Sequence, residues 1–505
     1  MSKLKNSFCL LLITFLGTAS AQAQDSIKLF NKINDQYSTE RDFKNNFYYN
    51  PAAMSDYSSS SFSEFSINYH DDKQKVYREQ LGAGEKGLKI SAQSFQKLSP
   101  NRAVWGSASY ENLKTRSIKW NENLDFDRIA PYVVADSIGG NSNLERYKFS
   151  GGYAQTMNRW TLGIEAGYLA QLGYRSKDPR NKNTTSDLSV NTGVNYKVYK
   201  EYEVGIFAEI NKYTQNSSLT FVSELGQPFV YQMVGFGYSN YFFNGGAPNV
   251  VYEELGYKVG AQISNKQGKD FYIRALGGKS NNVKSISSSI YLDTSDLENK
   301  MGTIEGAKFF NIQNHRLGIL ASYSGSIKTG SEYGYSSNTQ ITQQIFKRKA
   351  YRKEDYISSI KGFYQYNQEN FSVTAIPFFS YQEIKERRLY PSTGQKFEYT
   401  CIGINLDYRQ QIKENQVISL QPYLSKRIVN KSINALHSDT PPAITTWIMQ
   451  DYLFQSSDIT TVGGSLRYDI KLEKLPAFFV SAQWQSQKIQ KKNNNFIGAS
   501  LGITF

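Results

Sequence analysis

The last eleven residues, Asn495-Phe496-Ile497-Gly498-Ala499-Ser500-Leu501-Gly502-Ile503-Thr504-Phe505, decide how the chain is read. Ile497, Ala499, Leu501, Ile503 and Phe505 are apolar at every second position. Phe496, Gly498, Ser500, Gly502 and Thr504 stand between them and are mostly small or polar. Strict alternation is a strand with one apolar face. About ten residues of tilted strand cross a bilayer, so a strand that runs to a terminal aromatic carboxylate predicts a membrane segment.

Working back from that strand, the same period recurs. Trp160, Leu162, Ile164, Ala166 and Tyr168 alternate with Thr161, Gly163, Glu165 and Gly167, and Leu188 to Tyr196 repeats the pattern. So do residues 204–210, 257–263, 271–277, 317–323, 400–408, 462–470 and 478–484. Trp160 and Tyr168 share a face eight residues apart. At about 3.3 Å per residue and a tilt near 40°, that is roughly 20 Å along the membrane normal, close to the spacing of aromatic girdles. A core strand of a sandwich has no reason to end in aromatics at that separation; a large secreted all-β protein is the alternative reading of the composition.

Connections alternate in length. Short ones near Lys97–Asn101, Gln155–Asn158, Tyr199–Glu201, Lys266–Lys269, Asn367–Asn370, Gln411–Asn415 and Lys471–Leu475 read as periplasmic turns. Longer ones at roughly 113–145, 214–255, 281–313 and 430–458 read as extracellular loops. Roughly seventeen strands are evident, and an even number is expected. With a loop at 281–313, segments 314–326 and 356–366 both descend, which requires a rising strand around Tyr333 to Phe346. The expected fold is an all-β, antiparallel transmembrane β-barrel of about 18 strands, or about 16 if that strand and the one near Phe62–Tyr69 are both misread.

Met1–Ala23 has Lys3 and Lys5, an apolar core from Phe8 to Leu16, and Ala21-Gln22-Ala23, the parts of a cleavable secretory signal peptide. Cys9 precedes most of the apolar core, unlike a lipidated cysteine. Cleavage leaves Cys401 as the only cysteine and excludes an internal disulfide. After the signal no apolar run approaches 18 residues, so no helix is expected to span a membrane. Residues 24–60 do not alternate. Asp25-Ser26 can cap a short helix containing Leu29, Phe30 and Ile33, and Tyr48-Tyr49-Asn50-Pro51-Ala52-Ala53-Met54 follows as an extended or turn segment. The expected organisation is a signal peptide (1–23), a periplasmic tail or lumen plug (24–60) and a barrel (61–505).

Catalytic chemistry is sparse. His70, His315 and His437 are dispersed, without metal-ligand spacing. His315 beside Ser322 or Ser324 is the one formal hydrolase pairing. No Gly-rich phosphate cradle opens a helix. No catalytic, cofactor-binding or metal site is assigned, and no cofactor is expected.

Charge is more informative. The formal net charge is +14, or +12 once Lys3 and Lys5 leave with the signal peptide. Lys347, Arg348, Lys349, Arg352 and Lys353 form a basic cluster expected at the extracellular rim. Further clusters lie at residues 177–182, 386–388 and 488–492. Such a rim can hold lipopolysaccharide phosphates or concentrate an anionic ligand. Lys148, Glu165, Glu209, Arg274, Lys361, Asp407, Arg409, Arg467 and Asp469 fall opposite the apolar faces of their strands and are expected in the lumen.

The alternating final strand ending in Phe505 resembles the signature by which bacterial outer-membrane barrels are recognised for assembly. The Asn50-Pro51-Ala52-Ala53 stretch resembles the N-terminal region of fatty-acid-transporter-like barrels. Together with the signal peptide and Tyr-rich strands, the chain resembles an uncharacterised outer-membrane barrel family of the Bacteroidetes. That resemblance implies a cell outer membrane location and an accessory envelope role beside TonB-dependent receptors. It carries no catalytic residue and no ligand. The expected partners are outer-membrane lipid and lipopolysaccharide, the barrel assembly machinery, and a TonB-dependent receptor or surface lipoprotein, with no nucleic acid. Two functions fit: a porin-like channel or accessory component in solute uptake, or a structural or interaction barrel with a filled lumen that holds a surface partner through its long loops.

Overall fold

The computed structural model describes residues 28–223, 228–245, 249–265, 270–287, 291–336, 343–436, 442–473 and 475–505. Its final strand, Lys492–Thr504, pairs antiparallel with the first, Phe62–Lys73, placing Leu501 opposite Ile67. Phe505 continues that ladder, its N–H donating to the Ser63 carbonyl at 2.9 Å. Each barrel strand also pairs with the next along the chain, so this last pairing closes an 18-stranded antiparallel sheet. Closure leaves no unpaired edge, which is what a sheet in hydrocarbon requires. The segment 1–23 expected as a signal peptide, the turn expected at Lys266–Lys269, and His437 lie outside the described residues.

Alternation sorts the wall into two faces. Ile164, Ile206, Ile319, Phe379, Leu420 and Leu501 point outward and carry the exposed apolar band. Lower and upper aromatic positions bracket it. Trp160 and Tyr168 stand on one strand, and Tyr364 and Tyr356 on another, each pair eight residues apart. Tyr356 stacks on Tyr323 of the neighbouring strand at 5 to 7 Å spacing expected of aromatic pairs, with centroids 6.4 Å apart.

The count of eighteen arises differently from the sequence expectation. No strand spans Tyr333 to Phe346; Tyr333 to Tyr335 end the strand His315–Tyr335, and Gln344 begins Gln344–Asn367. The missing strand is Tyr291–Ile312, inside the segment expected as a loop. It turns at Gln313-Asn314, so His315 starts a rising strand at the periplasmic end rather than a descending one at the rim. Its upper half extends beyond the membrane and is mostly polar, with apolar Leu297 packed inward, while Gly302, Gly306 and Lys308 interrupt the outward face around Ile304 and Phe310. Period two is therefore hidden. The other long connections shorten too, to 119–139, 221–248 and 436–458, because their strands run on past the lipid.

Strand length is uneven around the wall. Gln344–Asn367 has 24 residues and Tyr291–Ile312 has 22, whereas Ile459–Lys471, Ala477–Ile489 and Lys492–Thr504 have 13 each. With the usual rise and tilt the tall side reaches roughly 60 Å and the short side roughly 33 Å. Only the tall side projects far outside the membrane.

Candidate functional site

The interior of the barrel is where the sequence concentrates its unusual chemistry. Two helices, Leu29–Gln36 and Thr39–Phe43, and two 3-10 turns, Asn45–Tyr49 and Pro51–Asp56, line up before the first strand. Their side chains meet inward-facing positions of the wall. Leu29, Phe30 and Ile33 pack on Val417 and Ala477 near the periplasmic mouth. Phe43, Phe47 and Ala53 pack with Tyr272, Phe309, Leu320 and Phe363.

The Asn50-Pro51-Ala52-Ala53 stretch has the most fitted contacts. Asn50 accepts from the Ala52 N–H at 3.0 Å, an Asx turn that begins the 3-10 segment, and donates to Asn195 Oδ1 at 2.7 Å. Asn191 donates to the Tyr49 carbonyl at 2.6 Å. Beneath this turn three wall positions are glycine: Gly163 and Gly193 face each other across two strands, and Gly205 stands on the third. A Cβ on Gly163 would strike the Pro51–Ala52 peptide, and one on Gly193 or Gly205 would strike the Asn50 side chain. Asn50, Ala52 and Ala53 are 0% exposed.

Of the nine charged residues expected in the lumen, all face inward, and several bind this segment. Arg409 pairs with Asp407 at 2.7 Å and reaches Asn34, Thr39 and the Tyr37 carbonyl. Asp407 accepts from Thr39 at 3.1 Å. Glu209 accepts from Tyr49 and pairs with Lys258 at 2.9 Å. The Arg274 guanidinium lies over the Tyr49 and Phe207 rings. Arg467 pairs with Asp469 and Glu64 and stacks on Tyr37 and Phe479. Glu165 accepts from the Trp105 indole at 3.1 Å. Sequence reasoning did not find Glu305 or Arg316, which hold Asn46 at 2.8 Å and Glu40 respectively. Burial raises the Glu40 carboxyl, and Lys44 and Arg316 more than offset it, so Glu40 titrates below the usual range.

Lys148 and Lys361 differ from the rest. Both are exposed although they face inward, and neither has a hydrogen bond or ion pair among the described residues. Gln93, Ser107, Asn405 and Gln483 are likewise inward and exposed at similar heights. They mark a wet, mostly uncharged band across the middle of the lumen.

Above that band the extracellular connections fold in. Trp120 stacks on Trp447 of the helix Pro442–Gln455 with centroids 5.2 Å apart. Around them gather Phe126, Ile129, Val134, Met233, Ile444 and Ile448. Arg128 ties this cover to three strands through Asp187 at 2.7 Å, Asn211 at 2.6 Å and Glu254 at 2.9 Å. Asp451, Glu122 and Asp136 are buried carboxyls of this cover. Asp451 accepts from the Glu79 N–H at 3.0 Å and lies 3.9 Å from Arg78; burial pushes its carboxyl up to about 6. Glu122 pairs with Arg175 at 2.8 Å, and burial together with the neighbouring Asp136 holds its carboxyl well above the ordinary range.

The basic cluster is not on a loop. Lys347, Arg348, Lys349, Arg352 and Lys353 lie in the upper part of the strand Gln344–Asn367. Lys347 pairs with Asp296, Arg352 with Glu354 and Lys353 with Glu386. Lys353 lines an internal cavity of about 70 Å³ with Arg78, Asp127 and Lys328. Arg348 lies over the Phe346 and Tyr390 rings. His315 stacks outward on Tyr364 and Tyr366, while Ser322 bonds Ser359 on the inward face, so the formal hydrolase pairing is divided by the wall. Among the described residues no three His, Cys, Asp or Glu side chains are grouped to hold a metal.

The chain is a closed 18-stranded antiparallel β-barrel with an apolar outer band. It is structurally similar to a mutant of the ferric enterobactin receptor PfeA of Pseudomonas aeruginosa, with a TM-score of 0.40, 8% identity, and coverage of 89% of this chain and 81% of that one. It is similar to the siderophore receptor PiuA of Acinetobacter baumannii at a TM-score of 0.40 and 8% identity, over 88% and 82% of the two chains. For BauA, the ferric preacinetobactin receptor of Acinetobacter baumannii, the TM-score is 0.38 and the identity 9%, over 89% and 80%. Comparison with curated proteins gives no match. From Pro51 of the seated turn to Phe505 of the closing strand, residues 51–505 match one family, and the chain belongs to it: the family of unknown function DUF6850.

Proposed function

We propose that this protein is a closed outer-membrane barrel whose residues 24–60 act as a lumen plug, and that it holds a partner at the cell surface. The observation that carries this reading is the fitted seat of Asn50-Pro51-Ala52-Ala53 on Gly163, Gly193 and Gly205. A transient stopper needs no such complementarity, because every contact it makes must be given up on opening. Hydrogen bonds and ion pairs to Glu209, Glu305, Arg316, Asp407 and Arg409 extend the seat. The second closure at the extracellular side supports the same reading.

The crest of the tall wall supplies a surface for a partner. Tyr241 is 87% exposed, and Phe242, Phe346 and Tyr390 are exposed as well. Phe346 is about 21 residues above the periplasmic turn, roughly 50 Å by rise and tilt, well beyond the lipid that accounts for the outer aromatics. Exposed aromatics at that height suit protein contact. A TonB-dependent receptor or a surface lipoprotein fits such a platform in solute uptake. Photocrosslinkers in place of Tyr241 and Phe346 in living cells should give a discrete protein adduct, absent with the crosslinker at Leu98 by the periplasmic turn; no adduct at the crest would overturn the platform.

A gated conduit is the second reading, favoured by the wet band with Lys148 and Lys361 between the two closures. In that case a disulfide joining Asn50→Cys to Gly193→Cys, in a Cys401→Ser background, should abolish solute entry until reduced. The closed platform predicts no entry in either state.

A further inference from the structure

The outer wall carries an arrangement of charge that the lumen and the crest do not use. On the outward face of three adjacent strands, Arg352 stands directly opposite Arg387, and Lys385 directly opposite Lys396. Arg387 and Lys385 are two residues apart on the same face of one strand, so the two like-charged pairs adjoin. Like charges opposite each other destabilise a sheet. Nearby carboxylates relieve the two ends of the block. Arg352 pairs with Glu354, and Lys396 pairs with Glu383 and Glu398 at 2.8 Å each. The middle is compensated less closely: Glu354 stands opposite Lys385 and Glu383 lies two residues below it, yet neither Lys385 nor Arg387 makes an ion pair among the described residues, and the Arg387 Nε is buried without a hydrogen-bond partner.

Position identifies the missing counter-charge. Tyr381, on the same face as Lys385 and one turn of the pleat below Glu383, donates to Glu398 at 3.1 Å and belongs to the upper aromatic level with Tyr356 and Tyr323. Lys385 is 14 residues above Phe371, the first residue of its strand, which is roughly 36 Å from the periplasmic turn. The apolar band starts a few residues up from that turn and is about 25 Å tall. Lys385 and Arg387 therefore emerge at the headgroup level of the outer leaflet.

We propose that Lys385 and Arg387, flanked by Arg352 and Lys396, bind the phosphate of an anionic outer-leaflet glycolipid. A phosphate between Lys385 and Arg387 would accept from the Lys385 ammonium and the terminal guanidinium nitrogens of Arg387 and offset the repulsion within the block. The basic cluster at Lys347 to Lys349 does not serve this purpose, because it lies well above the headgroups and Lys347 is held by Asp296. This inference is independent of whether the lumen conducts.

The test uses the full chain in nanodiscs and measures retention of a bisphosphorylated lipid A against the same lipid without phosphate. Wild-type protein should prefer the phosphorylated lipid, and K385Q/R387Q should lose about thirtyfold of that preference, in keeping with two interfacial cations. The R348Q/K349Q variant should keep it. Raising salt to about 1 M should shrink the wild-type preference. Heat-modifiable migration reports folding of each variant. No preference in wild-type protein, full preference in folded K385Q/R387Q, or equal loss in R348Q/K349Q would each overturn the proposal.

Discussion

Gly193 and Asn50 show how single residues fix what occupies the lumen. The turn at Asn50-Pro51 is legible in the sequence, since Asn before Pro sets an extended residue and an Asx contact. Its seat is not legible, because Gly163, Gly193 and Gly205 come from three strands and each reads locally as a small residue on a polar face. Gly193→Leu should expel the turn while leaving the outward face intact. Cysteine labelling at Ala53→Cys in a Cys401→Ser background should rise severalfold in G193L, and unchanged labelling would mean that the seat is not selective. The facing of the wall is testable nearby. Ile164 points to lipid, so Ile164→Arg near the midplane should lower stability by about 2 to 4 kcal/mol, read from unfolding in denaturant. Tolerance equal to that of a loop site would reverse the two faces.

At the scale of elements, strands with a clean apolar period within the lipid were readable, and those that outgrow it were not. The closing strand is the clearest case, and Phe505 is hydrogen-bonded to Ser63 at the seam. Deleting Phe505 or replacing it with a charged residue should lower the yield of folded, heat-modifiable protein in the outer membrane; normal yield would detach the seam from assembly. Tyr291–Ile312 was missed because Gly302, Gly306 and Lys308 share its outward face with Ile304 and Phe310. The helix Pro442–Gln455 gave no sign of its role, since its docking depends on Trp120 and Arg78 far away in sequence. Asp451 gives that docking a pH dependence. Its carboxyl titrates near 6 when docked against the ordinary 3.8, so the docked state binds the proton more tightly. Docking is strongest below about pH 4 and weakens as pH rises to about 6, by about 3 kcal/mol from this group alone. Fluorescence of the stacked Trp120 and Trp447 should follow that change, and Asp451→Asn should flatten it across this range; an unaltered profile in the variant would remove Asp451 as the cause.

For the whole molecule, the barrel followed from pattern alone, whereas its closure depends on contacts between distant parts of the chain. Thr39 to Asp407 and Asn46 to Glu305 are such contacts, and no spacing announces them. The central claim is that the chain blocks its own lumen twice, with the N-terminal segment below and the folded connections above. Planar-bilayer conductance of the refolded full chain tests it most directly. The account predicts no steady current at any applied voltage from low salt to about 1 M, and a steady open-channel current under those conditions would contradict it.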